Sequence, residues 1–320
     1  MQTALYGAIG WKHPRGIFQV LDWARRFGWH AVDARGMTLG IPGDPIRNSA
    51  AFGYDMLGPC HVHQSARADI RSACEEFDIP ILCLYVANPV NLRGELGDAN
   101  RKTFRDYIQL ASDLNISFVR AINNTRESYD GELFSEEEAF ERTMTGLRDV
   151  GKLAGDLDVG ILIENNENST TSCSDELLEI QNGVRDVCRV GIAYDPVNAY
   201  FQGLNELDEL AELSGSVDFL HLKNVKRHHD PQFAYMPRGD FSYEWTALAD
   251  GDVCWESVLR SAIEGGFDGT LTFEYVNPFK GMSADYWETI RDPEQAAQDE
   301  RNYLNELIEL VQESESEKNL

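Results

Sequence analysis

The chain is expected to fold as a single-domain α/β protein, a (β/α)8 barrel with long loops at the carboxyl ends of its second and seventh strands. Three observations carry this reading. Strand-length apolar runs alternate with longer helix-like segments eight times along the sequence. Four of those runs end in a residue that a hard divalent metal ion would take as a ligand. At 320 residues, 42% of them hydrophobic, the chain is long enough for one large barrel, and no Pro/Gly/Ser-rich linker divides it.

In chain order, the expected strands are Ala4 to Ile9, Ala31 to Ala34, Ile79 to Ala87, Ser117 to Ile122, Val159 to Glu164, Val190 to Asp195, Val217 to Leu222 and Gly269 to Val276. Between them lie helix candidates at Ile17 to Phe27, Ala66 to Phe77, Asp98 to Leu114, Glu136 to Ala154, Glu206 to Leu213, Trp255 to Glu264 and Glu294 to Val311. Ser135 followed by Glu136-Glu137-Glu138 has the form of a capping box and fixes one helix start. The long connections run from Gly36 to Gln64 and from Val225 to Asp252. Both leave the carboxyl ends of strands, where barrel enzymes build their sites, so they are expected to form a substrate wall or lid. The second one, from Arg227-His228-His229-Asp230 to Phe241-Ser242-Tyr243-Glu244-Trp245, mixes polar and aromatic groups, which suits sugar recognition or a subunit contact. The barrel takes residues 1–313, and 314–320 form a polar C-terminal tail.

Net charge is −26 and the isoelectric point is near 4.5. Only 7 of the 28 basic residues are Lys, and an acidic surface that favours Arg is of the kind that keeps a halophilic protein hydrated in high salt. Such a surface has no basic track for a phosphate backbone, so no nucleic-acid partner is expected. Six cysteines, Cys60, Cys74, Cys83, Cys173, Cys188 and Cys254, contain no C-x-x-C pair and read as reduced thiols. Neither a signal segment nor a membrane span is visible, so a cytoplasmic protein without a membrane partner is expected.

The four ligand-bearing runs are Ile161-Leu162-Ile163-Glu164, Ile192-Ala193-Tyr194-Asp195, Phe219-Leu220-His221 and Leu271-Thr272-Phe273-Glu274. The ligands are spaced by 31, 26 and 53 residues, which fits successive strand-loop-helix units with an insertion in the last. Three carboxylates and one imidazole suit one Mn²⁺, Mg²⁺, Co²⁺ or Zn²⁺ ion with open coordination positions, since a closed structural zinc site prefers thiolates. A metal that holds a carbonyl and its neighbouring hydroxyl lets a carboxylate remove the adjacent proton. Glu164 and Glu274 are therefore candidates for acid/base work as well as ligation. If they face the substrate from opposite sides the outcome is epimerisation; if one does both jobs on one face it is aldose-ketose isomerisation.

With these residues in place, the chain resembles the sugar phosphate isomerase/epimerase superfamily. These are the xylose isomerase-like TIM barrels, which include ketose 3-epimerases, hydroxypyruvate isomerase, inosose dehydratase and endonuclease IV. The likeness covers nearly the whole chain and is strongest from Val159 to Val276. There Ile163-Glu164-Asn165, Tyr194-Asp195-Pro196, His221-Leu222-Lys223-Asn224, Gly251-Asp252-Val253, Gly266-Phe267-Asp268-Gly269 and Phe273-Glu274 fall in family order. The resemblance implies ligand and acid/base roles for Glu164 and Glu274, and a substrate contact for Arg227, six residues after His221. It also implies a small carbohydrate substrate and a possible homo-oligomer. Asn198 departs from relatives that carry a histidine three residues after the aspartate, which weakens a strict ketose 3-epimerase and removes a ligand that a three-zinc nuclease needs.

Further substrate-binding candidates come from position alone. Lys223 lies two residues past His221 on the same strand face, and His13 follows the first strand. Asn123-Asn124 end the fourth strand and Asn165-Asn166 follow Glu164, so one amide of each pair, Asn123 and Asn166, is expected to face the pocket. Cys60-His61-Val62-His63 alternates ligands, but it precedes a helix and reads more readily as loop than as a second metal site. The leading expectation is a metal-dependent isomerase or epimerase of a small sugar, ketose or polyol-derived carbonyl compound. A dehydratase is the alternative, because His221-Leu222-Lys223-Asn224 resembles the His-Leu-Lys-Asp of inosose dehydratase relatives. An abasic-site endonuclease and a non-catalytic sugar-binding barrel stand behind both.

Overall fold

The computed structural model describes residues 1–10, 13–36, 56–59, 62, 64–86, 88–121, 134–167, 169–229, 241–274 and 292–318. Its strands are β1 (Gln2–Tyr6), β2 (Ala31–Gly36), β3 (Met56–Leu57), β4 (Ile81–Val86), β5 (Phe118–Ala121), β6 (Gly160–Glu164), β7 (Val190–Tyr194), β8 (Val217–Leu222), β9 (Asn224–His228), β10 (Ser242–Thr246) and β11 (Thr270–Phe273). Eight of them run parallel in the order β1-β11-β8-β7-β6-β5-β4-β2, and the β1–β2 pairing closes the barrel. The short β3 adds a pair to β2, while β9 and β10 form an antiparallel hairpin of their own. The helices are α1 (Ile17–Phe27), α2 (Gln64–Phe77), α3 (Gly94–Asp113), α4 (Glu136–Asp156), α5 (Ser174–Val184), α6 (Pro196–Phe201), α7 (Glu206–Glu212), α8 (Trp255–Glu264) and α9 (Pro293–Lys318). None of the described helices is long and apolar enough to cross a membrane.

All eight expected strands are present, with shifted ends. The first run leaves the sheet after Tyr6, and Gly7–Gly10 coils into a 3-10 turn, because glycines at both of its ends hold a strand poorly. The third starts at Ile81 rather than Ile79, since Pro80 has no N–H to give the ladder. Ser135 caps α4 by accepting from the Glu138 N–H at 3.1 Å. The reciprocal half of the capping box is not made: the Glu138 carboxylate turns to Arg93 instead. The last helix continues to Lys318, into the segment expected to be a polar tail. Helices α5 and α6 fall where no candidate stood.

Two apolar layers hold the barrel. The larger lies between the strands and the helices; α1, for example, buries Ile17, Val20, Leu21 and Ala24 at helical spacing and stops at Gly28, whose φ of 79° is the left-handed cap that favours glycine. The smaller lies inside the barrel, where Cys83, Phe118, Leu162, Ala193 and Phe219 form a separate buried cluster, with Phe118 edge-on to Phe219 at 5.7 Å. Side chains on a strand alternate faces, so the residues two further on also point inward. Those residues are Tyr85, Arg120, Glu164, Asp195 and His221. An apolar floor thus carries a polar storey directly above it.

The carboxyl end of β8 is held by one buried amide. Asn224 Nδ2 donates to the Leu248 and Val253 carbonyls at 2.8 and 2.9 Å, and its Oδ1 accepts from the Val225 and Val253 N–H groups at 2.9 and 3.1 Å. Gly251 lies so close that a Cβ there would come within 2.2 Å of that amide. This explains why the Lys-Asn and Gly-Asp-Val segments occur together. Gly251→Ala should lower stability by about 1–3 kcal/mol, the cost of overpacking a filled site. Chemical denaturation checks it, and an unchanged midpoint would mean that the Asn224 knot has room to shift.

Candidate functional site

Each of the four candidate ligands arrives from a different strand. Glu164 ends β6, Asp195 follows β7, His221 lies near the end of β8 and Glu274 follows β11. Each offers one ligand atom, and these atoms all lie within 4.8 Å of one another. Glu164, Asp195 and His221 are buried; Glu274, with its side chain 19% exposed, stands at the mouth.

Local structure sets how each ligand presents itself. Asp195 is the N-cap of α6, with Pro196 at the first helical position. Its Oδ1 is spent on the Val197 and Asn198 N–H groups at 2.9 and 3.2 Å, which leaves Oδ2 for the site. Asn165 ties β6 to β7: its Nδ2 donates to the Asp195 carbonyl at 2.8 Å and its Oδ1 accepts from the Asp195 N–H at 2.7 Å. Asn198 closes the same seam by donating from Nδ2 to the Asn165 carbonyl at 2.9 Å. The buried amides therefore position two ligands relative to each other, and the one after Glu164 that does so is Asn165 rather than Asn166. Asn166 is half-buried in the following turn, where its N–H donates to the Thr171 carbonyl at 3.1 Å.

The remaining sequence candidates are dispersed. Lys223 joins the cluster, with Nζ 2.5 Å from Asp195 Oδ2 and 3.4 Å from Glu274 Oε2. Arg227 is an exposed residue of β9, its guanidinium 4.7 Å from the Phe241 ring and 5.8 Å from that of Tyr200. His13 packs edge-on against Trp23 at 5.6 Å, and its Nδ1 accepts from the Arg15 N–H. Asn123, Cys60, His61 and His63 lie outside the described residues, as do 230–240 of the long loop.

Two members of the cluster went unread in the sequence. Arg120 on β5 and Asp33 on β2 are 1% and 0% exposed. Arg120 Nη1 lies 3.2 Å from Glu164 Oε2 and 3.8 Å from Asp33 Oδ2, and its guanidinium sits 5.4 and 5.1 Å from the rings of Tyr6 and Tyr85. The same nitrogen touches the imidazole edge of His221, 2.6 Å from Nδ1 and 2.7 Å from Nε2. A lone charge inside each apolar run, in Val32-Asp33-Ala34 and Val119-Arg120-Ala121, was the available signal.

The cluster's charges decide what it accepts. Asp33, Glu164, Asp195 and Glu274 are four carboxylates, and Arg120 and Lys223 are the two permanent cations among them. That leaves two negative charges, which one divalent ion neutralises. Both oxygens of Asp33, Glu164 Oε2 and Asp195 Oδ2 have no hydrogen-bond partner, although the last two face Arg120 and Lys223 as ion pairs. Unsatisfied buried oxygens, an imidazole and a net deficit of positive charge fit a divalent metal ion.

The titrations follow the same crowding. Burial raises the Asp195 carboxyl to about 6, with Glu274 and Glu164 adding to it against Lys223. Burial would raise Glu274 as well, but Lys223 and His221 overcome it and hold that carboxyl well below the usual range. For Glu164 burial is likewise outweighed, here by Arg120 and His221, and its pKa falls. Burial and Arg120 depress the basicity of His221, yet Glu164 and Asp33 prevail and push it up to about 10. The close Arg120 contact calls instead for a neutral ring with a lone pair to offer, and so does metal ligation, which needs the deprotonated imidazole.

Comparisons with known proteins agree with this fold. Over 151 residues the chain is 21% identical to an inosose dehydratase of Clostridium botulinum (strain Alaska E43 / Type E3), covering 46% of this chain and 50% of that protein. It thus spans half the length of the curated relative it matches. Among solved structures, an L-ribulose 3-epimerase superposes with a TM-score of 0.71 at 10% identity, covering 100% of this chain and 99% of the other. The IOLI protein with a binding zinc atom superposes with a TM-score of 0.70 at 17% identity, covering 97% and 99%. The family model for the xylose isomerase-like TIM barrel matches residues 21–307, most of the chain and all four candidate ligands, and the protein belongs to that family.

Proposed function

We propose that the protein is a divalent-metal-dependent isomerase or epimerase of a small sugar, ketose or polyol-derived carbonyl compound. The observation that carries this reading is the convergence of Glu164, Asp195, His221 and Glu274 within 4.8 Å at the carboxyl end of the barrel. A bound divalent ion supplies Lewis-acid polarisation of the carbonyl, which makes the neighbouring C–H acidic enough for a carboxylate. Glu274, at the mouth and ionised beside Lys223, is the more accessible base; Glu164, fully buried and paired with Arg120, is the more restrained one. Lys223 bridges Asp195 and Glu274, offsetting their mutual repulsion, and presents an ammonium to a substrate oxyanion. Trp245, 5.8 Å from that ammonium and edge-on to Phe201, offers an apolar wall for a sugar's C–H face.

A dehydratase is the second reading, and one geometric fact favours it. Lys223 Nζ lies 3.4 Å from Glu274 Oε2, so a proton donor for a departing hydroxyl stands beside the candidate base. The inosose dehydratase similarity points the same way. The two readings separate by product: a panel of ketoses and inososes in D2O with Mn²⁺ should show deuterium entering next to the carbonyl with no loss of mass for an isomerase, and loss of water for a lyase.

Chelation should abolish this exchange, and Mn²⁺ or Co²⁺ should restore it; full exchange by verified metal-free protein would refute the metal requirement. Glu274→Gln should retain metal and lose most turnover. Glu164→Gln should lose affinity for metal as well, because it also breaks the pair with Arg120. Calorimetry with Mn²⁺ beside steady-state rates distinguishes the two, and near-normal turnover in both variants would make the barrel a binding module. If Arg227 reaches substrate from the hairpin, Arg227→Ala should lower kcat/KM by roughly 1–3 kcal/mol with metal content unchanged. Unaltered kinetics would assign Arg227 to the surface.

A further inference from the structure

Asp33 is a fully buried carboxylate with no hydrogen-bond partner on either oxygen, a state that costs a protein stability unless the charge serves something. What it faces is specific. His221 turns Nδ1 toward the quartet, 3.4 Å from Glu164 Oε1 and 3.7 Å from Glu274 Oε2, and turns Nε2 toward Asp33 Oδ2 at 3.4 Å. Arg120 lies between the two groups, near Asp33 on one side and Glu164 on the other, and its Nη1 rests against the edge of the His221 ring, 2.6 Å from Nδ1 and 2.7 Å from Nε2, without favouring either nitrogen. Lys223, Asp195 and the rings of Tyr6 and Tyr85 complete the charged and titratable groups described around this centre.

We propose that Asp33 and Arg120 are positioning residues for the metal quartet. Asp33 accepts the Nε2 proton of His221 and thereby commits Nδ1 to the metal, as carboxylates behind metal-bound histidines do elsewhere. Arg120 neutralises Asp33 and pins Glu164, so the pair orients two ligands without adding net charge to the site. Neither residue touches the reacting atoms. The inference rests on the metal-dependent reading of the site, and the experiment separates the two.

In protein loaded with Zn²⁺ and labelled with ¹⁵N-histidine, the ring nitrogens of His221, identified by their loss in His221→Gln, should show metal on Nδ1 and a proton on Nε2. Metal on Nε2 overturns the proposal. Asp33→Asn should bind Mn²⁺ about 10–100-fold more weakly by calorimetry, the range for lost partners of metal ligands. Arg120→Gln should weaken Mn²⁺ binding too, because it unpins Glu164 and leaves Asp33 without its counter-ion, and unchanged affinity in that folded variant would remove Arg120 from the proposal. Unchanged affinity in a folded Asp33→Asn protein also overturns the proposal, and if that variant does not fold, the wild-type ring-nitrogen signals decide alone. Should wild-type protein bind neither ion, the metal-dependent reading falls, and this inference with it.

Discussion

The structure depends on how a barrel interior tolerates charge. Asp33, Glu164, Asp195 and His221 are all 0–1% exposed, in a fold whose strands bury mostly aliphatic and aromatic side chains. Removing one partner from a buried pair typically costs about 3–5 kcal/mol, so none of these groups is independent of the others. Arg120 is the clearest case, because Asp33 and Glu164 both lean on its guanidinium. The fold answers this cost locally: the apolar floor of Cys83, Phe118, Leu162, Ala193 and Phe219 fills the barrel beneath the charged groups, and Glu274 is the most exposed of the four candidate ligands.

The same constraint explains the hydrogen bonds at the rim. A ligand carboxylate has two oxygens, and the protein commits one of them before any substrate arrives. For Asp195 the commitment is the first turn of α6; the Asn165 and Asn198 amides fix the strand ends around it. At β8 the Asn224 knot does the equivalent job for the backbone that carries His221 and Lys223, with Gly251 leaving it room. Rigid seams between neighbouring strands let side chains from four strands meet within 4.8 Å. Loops alone would not hold that geometry.

The candidate ligand set was legible in the sequence because each member stands at the end of an apolar run, where a polar residue is conspicuous. Asp33 and Arg120 were not, since each lies within a run and reads as an interruption of the strand rather than part of a site. Inward parity connects them: Phe118 and Arg120 share a face just as Leu162 and Glu164 do, so one apolar floor residue predicts the face of the charge two positions later. Parity does not decide between Asn165 and Asn166, because the strand ends at Glu164 and both amides lie beyond it. The coil at Gly7–Gly10 escaped notice for a different reason, because a short apolar run does not reveal whether it is strand or tight helix. Helix α6 is only six residues long, and its one signal is the Asp195-Pro196 pair that also starts the site.

The position of Lys223 bears on the choice between proton shuttling and elimination. An ammonium 2.5 Å from Asp195 and 3.4 Å from Glu274 repels a metal ion that uses the same carboxylates, so the two cations must divide the quartet between them. Arg120 lies beside Glu164 and His221, and Lys223 beside Asp195 and Glu274, so each half of the candidate set already has its own cation. A divalent ion held by these carboxylates would compete with Lys223 for Asp195 and Glu274. Released from that pairing, Lys223 would be a donor available to a substrate, and the two proposed reactions would differ in whether it steadies an oxyanion or protonates a departing hydroxyl.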